Sequence, residues 1–225
     1  MSIVTTGRVL VTGASGGAGG GVLGAFGDAG WQVVGVTRRD SPDDSAGVSW
    51  VKADLRDADA ATGMVADAVA ALGGLDALVC LAGGYSSAPL DELSWADFEK
   101  QIVTSLRPTV EAVLAALPEL RQSDAGSIVT IGAQTALKPG RNAGPYAAAK
   151  SAVATWSLAL AAGLRPSGIR VNCVLPGTLD TEANRASMPD AKRDTWVSPR
   201  QLGDLIVYLC SPESRPLSGT AIPIG

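Results

Sequence analysis

Apolar residues in this chain fall into short, unbroken runs separated by longer stretches of mixed polarity. The runs are RVLVT at 8–12, WQVVGVT at 31–37, VSWVKA at 48–53, DALVCLA at 76–82, SIVTIGA at 127–133 and IRVNCVL at 169–175, with TAIPIG at 220–225 as a seventh. A strand with one face in water alternates apolar and polar residues, whereas a continuous run is what a strand buried on both faces requires. Between the runs the pattern predicts helices near 17–29, 57–72, 94–119, 145–164 and 198–211. Strands alternating with helices predict one α/β domain over residues 1–225, a doubly wound, mostly or wholly parallel seven-stranded sheet with helices on both faces.

The segment YAAAKSAVATWSLALAAGL at 146–164 is apolar almost all round beyond Lys150. A helix lying on a sheet needs only one apolar stripe, so the second face calls for a cover. Two covers are open: another helix of the same chain, or a second copy in a homodimer or homotetramer.

Charge and composition narrow the classes. A net charge of -4, with basic residues scattered or paired with acids, provides no cationic field for a phosphate backbone, so nucleic acid is not expected as a partner. Cys80, Cys173 and Cys210 are widely spaced and read as small core residues. The N-terminus lacks a basic segment leading into an apolar stretch, and no run approaches eighteen uninterrupted apolar residues; a cytoplasmic protein is expected. There is no histidine. That excludes Ser-His-Asp and Cys-His catalysis and the common catalytic zinc sets, and no metal is expected. Chemistry must then rest on Tyr, Lys, Ser, Asp or Glu, or on a bound cofactor.

Four segments carry such chemistry. TGASGGAGG at 12–20 follows the first predicted strand and opens a helix, placing Gly13, Ser15, Gly16, Gly17 and Gly19 in a turn where a pyrophosphate can approach backbone amides and the positive helix end. After strand two, Arg38 and Arg39 stand where an NAD site usually carries an acid, which fits the 2′-phosphate of NADPH; Asp40 beside them keeps NADH open, and both arginines also read as solvated loop charges. After strand three, Asp54 and Leu55 could meet the adenine, or Asp54 could cap the next helix. Tyr146 and Lys150 are four apart at a helix start and so share one face. An ammonium there would lower the phenol pKa and let Tyr146 donate a proton as hydride reaches the neighbouring atom. Taken alone, the pair also reads as ordinary surface residues.

T-G-x-x-x-G-x-G, the Ala53-Asp54-Leu55 triplet, Y-x-x-x-K, and Leu175-Pro176-Gly177 followed by Thr178 and Thr181 together resemble the short-chain dehydrogenase/reductase family over essentially the whole chain. The resemblance implies a Rossmann-type fold, an NAD(P)H cofactor, Pro176, Gly177, Thr178 and Thr181 near nicotinamide and pyrophosphate, and dimers or tetramers built partly on the Tyr-Lys helix. Three departures stand out. The family's catalytic serine, thirteen residues before the tyrosine, falls on Ala133, so Gln134, Thr135 or water would have to supply its hydrogen bond; the helical asparagine of the proton relay is matched by Ser105. After strand four the usual N-A-G appears as Leu81-Ala82-Gly83-Gly84-Tyr85.

The same departures resemble one branch of the family, the dihydropteridine reductases: C-x-A-G-G before an aromatic, alanine for the serine, serine for the asparagine, and a substrate loop matched by Leu179, Asn184 and Met188. This implies reduction of a quinonoid dihydropterin or a similar conjugated imine or quinone, with Tyr85 stacking on the heterocycle or packing against the loop. The alternatives are an NADPH-dependent carbonyl reductase or alcohol dehydrogenase using Gln134 or Thr135, and a protein that senses NADP without turnover.

Overall fold

The computed structural model describes residues 7–39 and 47–225. Seven strands form one sheet: β1 (Arg8–Thr12), β2 (Gln32–Thr37), β3 (Val48–Lys52), β4 (Ala77–Cys80), β5 (Ser127–Ile131), β6 (Arg170–Pro176) and β7 (Thr220–Ile224). Their order is β3-β2-β1-β4-β5-β6-β7 and every neighbouring pair is parallel. β1, β4, β5 and β6 are buried almost throughout, as their unbroken apolar runs require, while the edge strands β3 and β7 keep partly exposed residues.

Helices α1 (Gly19–Asp28), α2 (Ala58–Leu72), α3 (Trp95–Gln101), α4 (Arg107–Leu120), α5 (Gly144–Leu164), α6 (Glu182–Ser187) and α7 (Pro199–Cys210) complete the fold. One face of the sheet buries Leu10, Val34, Leu78 and Ile128 beneath α2, α4 and α5; the other buries Val9, Val33, Val79 and Val129 beneath α1 and α7. This is the alternation of successive strand side chains between two covered faces. By length and composition the stretch Gly144–Ser167 would suffice to cross a membrane. It is instead packed on the sheet, with Val153 fully buried against Cys173 and Leu175 of β6.

Two expectations change. The single helix predicted over 94–119 is split, because residues Ile102–Leu106 form a π turn between α3 and α4. Pro108 sits in the first turn of α4, where its missing N–H costs least, so α4 starts anew there rather than continuing α3. The segment after β6, read as loop, contains the short α6, capped by the Thr181 hydroxyl accepting from Asn184 N.

Candidate active site

Strand order reverses between β1 and β4, and a crevice opens there past the strands' C-terminal ends, the position at which open α/β sheets take ligands. The crevice encloses about 380 Å³. Gly13, Ser15, Gly16 and Gly17 line one wall, Arg38, Arg39, Asp54 and Leu55 the far end, and Ala82, Gly83 and Gly84 the floor. Asp40 lies outside the described residues.

The glycine-rich turn is shaped by close approach. Gly13 has φ +67°, and a Cβ there would lie 2.6 Å from Ala82 N. A side chain at Gly13 would therefore both strain the backbone and push β1 from β4. Gly19 acts differently from its neighbours: its Cβ would meet Ala14 O at 1.8 Å, so it closes the turn onto α1, and Ala18 rather than Gly19 lines the crevice. A cofactor's phosphates fit this cradle, since a larger residue at Gly17 would press on the Thr181 side chain 3.1 Å away and fill the entrance. Thr37 ties the parts together: its hydroxyl donates to Ser15 Oγ at 3.0 Å and accepts from Arg39 N at 3.1 Å.

At the far end Asp54 is engaged by Arg56, whose Nε donates to both carboxylate oxygens. That hydrogen bond, with a smaller contribution from the Arg38 charge, holds the carboxyl down at about 2. Asp54 does not cap α2; Asp57 does, accepting from Asp59 N. Arg56 lines the crevice beside Arg38 and Arg39, a third cation that sequence reasoning passed over although it directly follows the Ala-Asp-Leu triplet. Val103, Thr104 and Pro108 also line it, brought there by the π turn, for which the sequence carries no local signal.

Tyr146 and Lys150 stand in the first turns of α5. Lys150 is 5% exposed, and its Nζ donates to Ile131 O at 2.8 Å. Burial pulls its pKa from the ordinary lysine value down to about 8, partly opposed by Cys173 and Cys80. The expected depression of the tyrosine is absent. Burial, reinforced by neighbouring Tyr85, pushes Tyr146 up to about 12, and Lys150, 6.0 Å from the ring centroid, does not offset it. Tyr146 is thus a protonated phenol throughout the working range, in the state a proton donor needs.

Ser105, buried in the π turn, donates to Gly84 O at 3.1 Å. Its hydroxyl and Lys150 Nζ both flank Gly83, where a Cβ would sit 3.8 Å and 3.2 Å from them. Tyr85 is 66% exposed, and its ring packs edge-on to Tyr146 at 4.9 Å between centroids.

Ala133 is buried at the end of β5, and its neighbours do not replace the missing hydroxyl. The Gln134 amide N–H groups donate to Ile224 O and Gly225 O, at 3.0 and 2.7 Å. Thr135 Oγ1 is closed off from solvent, where an incoming acceptor cannot reach it. Two residues expected at the substrate turn inward. Leu179 packs against the α1/α7 core and bridges to Val197, and Asn184 donates to Leu179 O at 2.8 Å, so both shape the loop. Met188 remains exposed at the end of α6. Pro176 ends β6, Gly177 lies beside the Gln134 amide, and Thr178 O accepts from Val197 N at 2.9 Å, holding this loop against the sheet.

Comparison with known proteins agrees with this geometry. A family model described as short chain dehydrogenase matches residues 7–192. The chain is 31% identical over 183 residues to the 2,5-dichloro-2,5-cyclohexadiene-1,4-diol dehydrogenase LinX of Sphingobium indicum, covering 78% of this chain and 73% of that protein. It is 30% identical over 189 residues to a cyclohexanol dehydrogenase of Rhodococcus sp., covering 77% and 70%. Among solved structures, a dehydrogenase/reductase from Sinorhizobium meliloti 1021 superposes with a TM-score of 0.88 at 30% identity, over 99% of this chain and 95% of that one. ElxO with NADP bound superposes with a TM-score of 0.89 at 23% identity, over 98% and 97%, a likeness of fold. With the reversed strand order and the glycine cradle at one crevice, and Lys150 beside Gly83 of its floor, the chain belongs to the short-chain dehydrogenase/reductase family of nicotinamide-dependent oxidoreductases.

Proposed function

We propose that this protein is an NADPH-dependent reductase of a flat, conjugated, already activated acceptor, with a quinonoid dihydropterin as the type. The observation that carries the reading is buried Ala133 with no accessible hydroxyl or free amide donor beside it. A ketone needs a hydrogen bond to its oxygen as charge develops there, and losing one such donor costs about 10²–10³ in rate. An electron-poor imine, whose reduction restores a favourable ring system, depends on it less.

A nicotinamide held in the crevice would supply the hydride. Tyr146 donates the proton, and its raised pKa favours reduction, since the reverse direction needs a phenolate that burial resists. Lys150, charged below about pH 8, would hold ribose hydroxyls, while Ser105 keeps Gly84 in place beside it. Tyr85 offers a ring face at the mouth of the site. Three arginines around one neutralised carboxylate favour the extra phosphate of NADPH over NADH. The NADP held by ElxO is in keeping with this. Met188 borders the acceptor.

A cytoplasmic location goes with this reading, as do the three free, buried cysteines. So does self-association through α5, whose outer side presents Ala148, Leu158, Ala159 and Ala162.

A second reading is favoured by the relatives, which by name oxidise ring diols and alcohols: a dehydrogenase or ketone reductase with water in place of the serine. Following NADPH oxidation with quinonoid dihydrobiopterin, a quinone and a set of ketones separates the two. Ketone turnover without pterin turnover overturns the first reading.

A further inference from the structure

Gln101 has no part in the chemistry above, yet it closes α3 with its side chain only 1% exposed. An amide buried this deeply is costly unless its donor and acceptor are both paired. Oriented so that donors meet acceptors, its Nε2 donates to Gly84 O at 3.0 Å, and its Oε1 accepts from Ser86 Oγ at 2.6 Å and Ser86 N at 3.2 Å. One turn further on, Ser105 Oγ donates to the same Gly84 carbonyl. The amide therefore grips the chain on both sides of Tyr85, whose own side chain is mostly in solvent. Residues so exposed are not usually held in one place, but this one stands against Tyr146.

We propose that Gln101 is a positioning residue: by clamping Gly84 and Ser86 it holds the Tyr85 ring over Tyr146 and so sets the platform on which a flat acceptor lies. The role assigned to the platform rests on the proposed function; the clamp itself does not. Gln101→Leu removes both grips, while Gln101→Glu keeps the acceptor for Ser86 and turns a second oxygen onto Gly84 O. A residue acting through Tyr85 loses its effect once Tyr85 is gone, so the test is a double-mutant cycle with Tyr85→Ala in the full chain.

Two readouts are taken. Near-ultraviolet circular dichroism needs no acceptor: the difference between wild type and Tyr85→Ala is the signature of the tyrosine pair, and Gln101→Leu should abolish it. With phenanthrenequinone and quinonoid dihydrobiopterin as acceptors, Gln101→Leu should raise the acceptor KM about tenfold, leave kcat and the NADPH Kd within about twofold, and add less than about twofold in the Tyr85→Ala background. If Gln101→Leu does not fold, Gln101→Glu carries the same test with an intermediate effect. An unchanged tyrosine signature, or a full KM effect persisting without Tyr85, overturns the proposal. Absence of pterin turnover alone overturns only the substrate reading, because the dichroism and the quinone cycle still decide the clamp.

Discussion

Lys150→Met tests the electrostatics of the site through stability. The lysine is buried with one carbonyl partner, and its pKa falls from 10.5 to about 8. At 1.36 kcal/mol per unit, keeping this ammonium charged in the fold costs about 3 kcal/mol below pH 8. The sign follows from the protons bound. Between pH 8 and 10.5 the unfolded chain holds a proton the folded chain has released, so stability rises with pH across that window and the cost is gone above it. Methionine keeps an unbranched stem and carries no charge, but it leaves Ile131 O without its 2.8 Å partner, a loss of about 1–3 kcal/mol. The two effects nearly cancel at pH 7, where the proteins should differ by less than about 2 kcal/mol. Raising the pH to 10 relieves only the wild type, which should gain about 2 kcal/mol relative to the variant. Urea unfolding followed by tryptophan fluorescence at both pH values measures this. The buried Cys210 thiol, whose raised pKa costs stability in alkali, is common to both proteins and drops out of the comparison, whereas Cys80 and Cys173 are coupled to Lys150 and belong to its effect. Parallel pH dependence in the two proteins would refute the desolvated ammonium.

Other consequences are checked more briefly. Ala133→Ser restores a hydroxyl at the end of β5 and should raise kcat/KM for ketones by about tenfold or more, leaving pterin turnover within about twofold; steady-state kinetics on both acceptors decides it. If the arginines meet the 2′-phosphate as proposed, Arg38→Ala with Arg39→Ala should raise the NADPH KM by about tenfold and the NADH KM much less. Equal changes would return both to solvated loop charges. With self-association through α5 as proposed, Leu158→Glu on its exposed side should shift the protein to a smaller species in analytical ultracentrifugation and lower its melting temperature.

The central strands were legible because burial on both faces leaves an unbroken apolar run, and β1, β4, β5 and β6 lie where those runs are. That Arg38, Arg39 and Asp54 line one crevice with the glycine-rich turn was legible because they follow successive strands that end at the same side of a parallel sheet. What escaped depends on contacts distant in sequence. Gln134 is turned away from the site by carbonyls at residues 224 and 225, and Asn184 by a carbonyl inside its own loop. The π turn that carries Ser105 has no periodic signature, because one widened turn leaves the helical pattern on either side intact. The Tyr146 pKa was misjudged for a related reason: four-residue spacing places Lys150 nearby, but burial and the Tyr85 ring, both tertiary, set the shift.

On the proposed function, Tyr146, without a serine partner, protonates an already activated acceptor as hydride from NADPH reduces it. The most direct measurement is NADPH oxidation by wild type and Tyr146→Phe with quinonoid dihydrobiopterin against simple ketones. The account predicts pterin turnover at a kcat/KM at least about a hundredfold above any ketone, falling about 10²-fold or more in Tyr146→Phe. Ketones reduced as well as or better than the pterin, or full pterin activity without the phenol, would contradict it.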